Sequence, residues 1–188
     1  MNRMENKTKI ILDLCGGTGS WSRPYKDAGY DVRLITLPEY DVRDYIPPEN
    51  VYGILAAPPC DHFAVSGARW FKEKDKDGRT IEGMGILIAC LEIIARCQPV
   101  FWALENPVGR LRRWMHKPAY IFDPCDYGDP YTKKTCLWGR FNIPPKTPVE
   151  PIEGSKLWRM YGGKSERTKR MRSITPPGFA KAFYEANK

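Results

Sequence analysis

The run Val51-Tyr52-Gly53-Ile54-Leu55 leads straight into Ala56-Ala57-Pro58-Pro59-Cys60-Asp61-His62-Phe63, and this stretch sets terms for the whole chain. A short apolar run bounded by turn residues reads as a buried strand. Two prolines cannot extend a central ladder, because proline lacks an N–H and fixes φ. They end the strand and leave one cysteine at its tip. Two further runs repeat the pattern. Lys9-Ile10-Ile11-Leu12-Asp13-Leu14 enters Cys15-Gly16-Gly17-Thr18-Gly19-Ser20, and Val100-Phe101-Trp102-Ala103-Leu104 enters Glu105-Asn106-Pro107. Near-continuous apolar strands separated by helical segments predict an α/β sheet buried on both faces. In open sheets of that kind, ligands and chemistry gather at the carboxyl ends of strands.

The intervening segments fit that frame. Ser20 predicts an N-cap for a helix running to about Ala28, and Gly29 ends it before a second strand, Tyr30 to Leu37. Pro47-Pro48-Glu49-Asn50 is a turn before the strand that leads to Cys60. Ser66 to Arg79 reads as a long polar loop of the lid type, with Arg69, Trp70 and Phe71 available for charge and stacking contacts. Thr80 to Cys97 is a helix whose Ile81, Met84, Ile88, Leu91 and Ile94 fall at helical spacing, with Thr80 as its cap. A helix from Val108 to Lys117 follows the Glu105 tip and holds Arg110, Arg112 and Arg113. Thr135 to Phe141 predicts an edge strand, Asn142 to Gly154 is a proline-rich extended run, and a helix over Phe179 to Ala186 closes the fold.

The glycine turn and the acid before it suggest a ligand. The turn lacks the Gly-Lys-Ser/Thr of a P-loop and strict GxGxxG spacing, which disfavours phosphate-led and dinucleotide binding. Asp13 beside a turn that lets backbone approach closely suits a ligand with a cation or amine, and S-adenosylmethionine has both. The alternative is a plain strand-to-helix turn. Glu39 could bind ribose hydroxyls and Asp41 an adenine amine; either could equally be a surface acid. Cys60 is placed as a nucleophile. An enclosed Glu105 should have a raised pKa, which suits proton donation to a ring nitrogen. The competing role for Glu105 is to cap a following helix.

Charge separates the two parts of the chain. Residues 1–108 hold 13 Lys+Arg against 15 Asp+Glu, whereas residues 109–188 hold 17 against 7. The excess argues for a polyanion partner met by the C-terminal part. Its densest stretch holds Lys156, Arg159, Lys164, Arg167, Lys169, Arg170 and Arg172, interleaved with Leu157, Trp158, Met160 and Tyr161. The six cysteines form no CxxC pair and only His62 and His116 accompany them, so no metal site is expected. Reduced cysteines, and a first apolar run too short for a leader or a span, lead to the expectation of a cytoplasmic protein that does not enter membranes.

Taken in order, several pieces resemble the DNA cytosine-5 methyltransferases. Asp13-Leu14-Cys15-Gly16-Gly17-Thr18-Gly19 resembles their cofactor motif, Pro58-Pro59-Cys60 their catalytic motif, and Glu105-Asn106 the start of their Glu-Asn-Val motif. Tyr127-Gly128-Asp129-Pro130 resembles the lead into their Gln-x-Arg-x-Arg motif, where Tyr131, Lys133 and Thr135 stand in this chain. Arg172-Ser173-Ile174-Thr175-Pro176 resembles the segment beyond their target-recognition domain. The resemblance implies a Rossmann-like, S-adenosylmethionine-dependent methyltransferase sheet with helices on both faces. It implies one domain over residues 1–188, with a basic segment at about 142–178 in place of a full target-recognition domain.

The resemblance also implies roles. Cys60, Glu105 and Lys133 would be catalytic. Asp13, Leu14, Cys15, Gly16, Gly17, Gly19, Glu39, Asp41 and Pro58 would meet S-adenosyl-L-methionine. Arg69, Trp70, Arg110, Arg112, Lys134, Lys164, Arg167, Lys169, Arg170 and Arg172 would meet DNA, duplex or single-stranded. The Cys60 thiolate would attack C6 of a flipped cytosine, helped by a pKa lowered by a cation such as Lys133. Alternatives are a degenerate fold that only binds DNA, and C5 methylation of RNA or a free nucleotide. A thymidylate-synthase-like enzyme is disfavoured by the glycine turn on the first strand, and an amino-group methyltransferase would show an aromatic in place of Cys60. The chain departs from the family in having Cys15 where an aromatic is usual and Pro107 in place of Val, and in showing no evident closing segment that packs on the cofactor loop. A protein partner or a second copy would then complete recognition.

Overall fold

A computed structural model describes residues 3–155 and 165–188. Its centre is a six-stranded sheet. In chain order the strands are β1 (Ile10–Leu14), β2 (Asp31–Ile35), β3 (Val51–Ala56), β4 (Phe101–Pro107), β5 (Tyr120–Phe122) and β6 (Thr135–Arg140). Their spatial order is β2-β1-β3-β4-β6-β5. The first four are mutually parallel, and β6 runs antiparallel between β4 and β5. The α/β class is therefore borne out. The expected edge strand is not an edge: β6 is flanked on both sides, and the three-residue β5 takes the outer place.

Alternation along the strands sorts two cores onto the two faces. Leu12, Leu14, Ile54, Ala56, Leu104 and Trp138 pack with Leu87, Cys90, Ile93 and Ile94 of α4, where α4 is Arg79–Cys97. The other face holds Ile11, Leu55, Phe101, Ala103 and Leu137. Trp21, Tyr25, Phe179 and Phe183 cover it, from the helix Arg23–Asp27 with its approach and from the last helix, Pro177–Ala186. Counting also Arg3–Asn6, Phe71–Lys76, Arg112–Met115 and Glu166–Ser173, these two are α2 and α7, and the four are α1, α3, α5 and α6.

Five sequence expectations change in detail. The polar stretch Ser66–Arg79 is not an open loop: it forms a 3-10 turn, Val65–Trp70, and then α3. Of the spaced set on α4, Ile94 is buried and Met84 and Leu91 pack half-buried on the core, but Ile81 and Ile88 do not. Ile81 and Ile88 are 74% and 49% exposed, Leu87, Cys90 and Ile94 face the sheet, and Gly83 faces His62. Thr80 does not cap α4; Gly78 holds the cap position, and the Thr80 hydroxyl bonds to Asp75 at 2.7 Å. Ser20 is not the N-cap of α2, which is Ser22, and only four residues of the expected Val108–Lys117 helix are helical.

Among the described residues, no helix is long and apolar enough to cross a membrane. All six cysteines are free.

Candidate active site

The site forms where strand pairing stops. Leu14, Ala56 and Leu104 make one row across β1, β3 and β4. The next residue on each strand is Cys15, Ala57 and Glu105, so a glycine turn, a proline–cysteine turn and an acid leave the sheet side by side. β1 lies between β2 and β3, which connect to opposite sides of it. That reversal is the crevice where open α/β sheets hold ligands.

β4 outruns β3. Glu105, Asn106 and Pro107 continue as strand because β6 supplies partners at Leu137, Cys136 and Thr135. This overhang lies along the Pro58–Cys60 turn. Asn106, fully buried, donates from Nδ2 to the Pro58 carbonyl at 3.0 Å. Glu105 is thus a strand residue, and with no helix at Val108 its alternative role as a helix cap falls away. Pro58 shapes the nucleophile turn and is buried.

Cys60 is half-buried and faces four charges: Glu105, Lys133, Asp61 and Arg172. Enclosure pushes its thiol up to about 11, and the negative charge of Glu105 adds to the rise. Lys133 and Arg172 pull the other way without prevailing. The expectation of a lowered thiol pKa is therefore corrected: Lys133 lowers it as expected, but burial outweighs the cation. Burial also raises Glu105, with Lys133 partly offsetting it. Lys133 accordingly serves both groups. Its backbone N–H is fixed on Asp123 at 3.0 Å, and its Nζ donates to the Arg172 carbonyl at 2.9 Å.

The glycine turn is built on Asp13. That carboxylate is fully buried and accepts from Ser22 Oγ at 2.5 Å, while its Oδ1 has no hydrogen-bond partner. Burial raises its pKa to about 6. A Cβ at Gly16 would stand 2.2 Å from Oδ1, so only glycine lets the turn lie flat on the acid. Gly17 and Gly19 have φ of +55° and +67°, and Cys15 shares that left-handed conformation at +56°. Asp13 is therefore placed to act from beneath the turn, not at its surface. The unpartnered oxygen leaves the turn electronegative, which fits a ligand carrying positive charge.

Leu14 is buried in the sheet core, Cys15 meets Cys90 of α4 through its thiol, and Glu39 is exposed on the turn after β2. Asp41 lies near Cys15, but Arg43 occupies both its oxygens and holds its pKa down to about 2.

The cationic candidates divide. Arg112, Lys134, Arg167 and Arg170 are exposed; Arg112 and Lys134 both act on Cys136, the strand partner of Asn106. Arg69 is exposed beside Trp70, its guanidinium carbon 5.1 Å from the indole ring centre. Arg110 is a correction. It is 7% exposed, and its nitrogens bond to the His62 carbonyl at 2.9 Å, Asp75 at 2.8 Å and Thr80 Oγ1 at 2.7 Å. Phe71 stacks beneath it at 3.9 Å. It fastens α3 and α4 to the turn beyond Cys60 and offers nothing to a phosphate. Lys164 and the side chain of Lys169 lie outside the described residues.

Sequence reasoning named Asn106 and Arg172 without seeing what they touch, and it missed the closing segment. Asn106 holds the nucleophile turn, and its place beside Glu105 was the available signal. Arg172 stands at Cys60, not on a remote surface. Ser173–Thr175 packs on the glycine turn, with the Thr175 N–H donating to Ser20 Oγ at 2.9 Å, so a closing segment exists after all.

No family model matches the chain. Over 205 aligned residues, 89% of this chain and 94% of its relative, it is 29% identical to a frog virus 3 (isolate Goorha) protein named "Probable DNA (cytosine-5)-methyltransferase". The resemblance read from the motifs thus extends over nearly the whole chain. A crystal structure described as a candidate DNA modification methyltransferase encoded within an E. coli prophage has a TM-score of 0.46 and 17% identity. It matches over 76% of this chain and 53% of its own, so this chain spans about half its length.

Proposed function

We propose that this chain is a methyltransferase that acts on cytosine in DNA, transferring methyl from S-adenosyl-L-methionine to C5 through a covalent Cys60–C6 bond. The observation that supports this most is the meeting of Cys60, Glu105, Lys133 and Arg172 beside the glycine turn of β1. S-adenosyl-L-methionine, when bound, supplies an electrophilic methyl group on a sulfonium. Cys15, Gly16 and Gly17 would hold it by backbone, with the Asp13 field beneath and Asp41 and Glu39 at the rim.

The remaining steps belong to the chain's own residues. Cys60 Sγ adds to C6 of a base taken out of its stack. A thiol raised to about 11 is protonated at neutral pH, so its proton passes to solvent water as the S–C6 bond forms. Electron density pushed onto N3 is met by a proton from Glu105, whose raised pKa keeps it available. The resulting enamine makes C5 nucleophilic toward the methyl group. Water then takes the C5 proton, and Sγ leaves C6. Lys133 stabilises negative charge on either Sγ or Glu105 as it appears.

The nucleic-acid face is the basic C-terminal part. Arg167 and Arg170 of α6 and the exposed Arg112 and Lys134 contact phosphates, and Arg69 with Trp70 contacts an unpaired base. In this reading the chain works as one domain, and the segment at about 142–178 stands in for a target-recognition domain, completed where needed by a partner or a second copy.

A trapping experiment tests the reading. Fluorine at C5 cannot leave as a proton does, so a 5-fluorocytosine duplex with S-adenosylmethionine should give a denaturation-resistant adduct. The expected mass shift lies on the Cys60 peptide and vanishes in Cys60→Ala. An adduct that persists in Cys60→Ala, or none while donor and DNA both bind, overturns the covalent scheme.

A further inference from the structure

Two hydrogen bonds tie the short stretch Arg172–Thr175 to both sides of the site. At one end, Lys133 Nζ donates to the Arg172 carbonyl at 2.9 Å. At the other, the Thr175 N–H donates to Ser20 Oγ at 2.9 Å, and Ser173 Oγ is 3.9 Å from where a Cβ on Gly17 would stand. Arg172 lies in the last turn of α6, so its carbonyl is one the helix leaves without an internal partner. An ammonium group suits that end of a helix. Beyond Thr175 the strap is anchored: Pro176 is buried, and the Gly178 N–H donates to Asp129 at 2.9 Å.

The charges around Cys60 are distributed unequally with respect to this strap. Glu105 comes from β4 and Asp61 from the nucleophile's own turn, and both raise the thiol pKa. Arg172 is part of the strap and Lys133 is bonded to it, and both lower the thiol pKa. The backbone of Lys133 is held separately by Asp123. The Arg172 carbonyl therefore decides where the ammonium stands. A shift of the strap moves the two cations together while the two acids stay on the sheet and its turn.

We infer that Ser20 is a positioning residue: through Thr175 it sets the Arg172–Thr175 strap, and through the strap it sets Lys133 and Arg172 beside Cys60, so that occupancy of the glycine turn is felt at the nucleophile. The inference rests on the reading of that turn as the methyl-donor site. The coupling runs from the donor pocket through the strap to Cys60.

The test reads the acidity of Cys60 with and without ligand at the glycine turn. Full-length protein is alkylated in short pulses with chloroacetamide from about pH 7 to about pH 12, and the Cys60 peptide is quantified by mass spectrometry. The ligand is S-adenosylhomocysteine, whose sulfur is uncharged and so adds no sulfonium field of its own; calorimetry verifies saturation. In the wild type, saturation should lower the midpoint of the alkylation profile by about one pH unit, roughly a tenfold change in thiolate fraction. In saturated Ser20→Ala the midpoint should stay at its ligand-free value, and Ser20→Thr, which keeps the hydroxyl, should restore the shift.

A wild-type midpoint that does not move overturns the inference, whatever the variants do. A slower plateau with an unmoved midpoint reports shielding of Cys60 and also counts against it. A full shift retained in Ser20→Ala removes Ser20 from the coupling. Failure of S-adenosylhomocysteine to bind the wild type at all would instead remove the donor reading, and this inference with it.

Discussion

Asp13 is ionised at neutral pH, but at a cost to the fold. Its folded pKa of about 6 exceeds the ordinary 3.8 because burial outweighs the Ser22 hydrogen bond. For an acid raised on folding, the native state binds the proton more tightly than the unfolded chain. The cost of the buried charge is therefore nil below about 3.8, grows as pH rises, and is complete above about 6. A difference of about two units corresponds to about 3 kcal/mol. Asp13→Asn should escape this cost. Urea midpoints of wild type and variant should converge near pH 4 and separate by pH 7, with the variant the more stable. The same variant should bind S-adenosylmethionine more weakly, since the field under the glycine turn is gone. Parallel stability curves across that range would show that Asp13 is not the titrating group. Stability sacrificed at one buried acid is consistent with a residue retained for its charge.

Helix α4 shows what an element's sequence can and cannot disclose. Its existence and length were legible, because nineteen residues without proline and rich in aliphatics fit nothing else. Its orientation was not, because Ile81, Ile86, Ile88, Leu87, Leu91, Ile93 and Ile94 surround the axis and several stripes fit the spacing equally. The deciding contact is long-range. A Cβ on Gly83 would lie 2.8 Å from the His62 ring, so the glycine face is the one that can approach the nucleophile turn. Leu87→Ala should cost about 2–4 kcal/mol in denaturant unfolding, whereas Ile88→Lys should stay within about 0.5 kcal/mol of wild type. Equal losses would place the buried stripe where the spacing alone suggested. Strands β1, β3 and β4 were read more surely because each tip combined an apolar run with a proline, glycine or acid, whereas the three-residue β5 went unread. Asn106, Arg172 and Ser20 were less legible, because their roles depend on the β4 overhang and on the return of α6 and its strap to the sheet. Neither leaves a local pattern.

At the scale of the molecule, the excess of positive charge in residues 109–188 predicts salt-sensitive binding to nucleic acid. The structure separates exposed cations from an enclosed one. Arg167 and Arg170 are exposed on α6, whereas Arg110 is enclosed by Asp75, Thr80, the His62 carbonyl and the Phe71 ring. Each phosphate contact to duplex DNA contributes about 0.9 to the slope of log K against log salt. Arg167→Ala with Arg170→Ala should therefore flatten that slope by about 1.8 and weaken binding at low salt. Arg110→Met should leave the slope unchanged. It should instead lower thermal stability, because Asp75 and the His62 carbonyl lose a buried partner. The two readouts separate a solvated charge from a structural one at similar sequence cost. A slope flattened by Arg110→Met would mean that the clamp opens to engage phosphate. An unchanged slope in the α6 variant would move the nucleic-acid face to Arg112 and Lys134, on the rim beside Cys136.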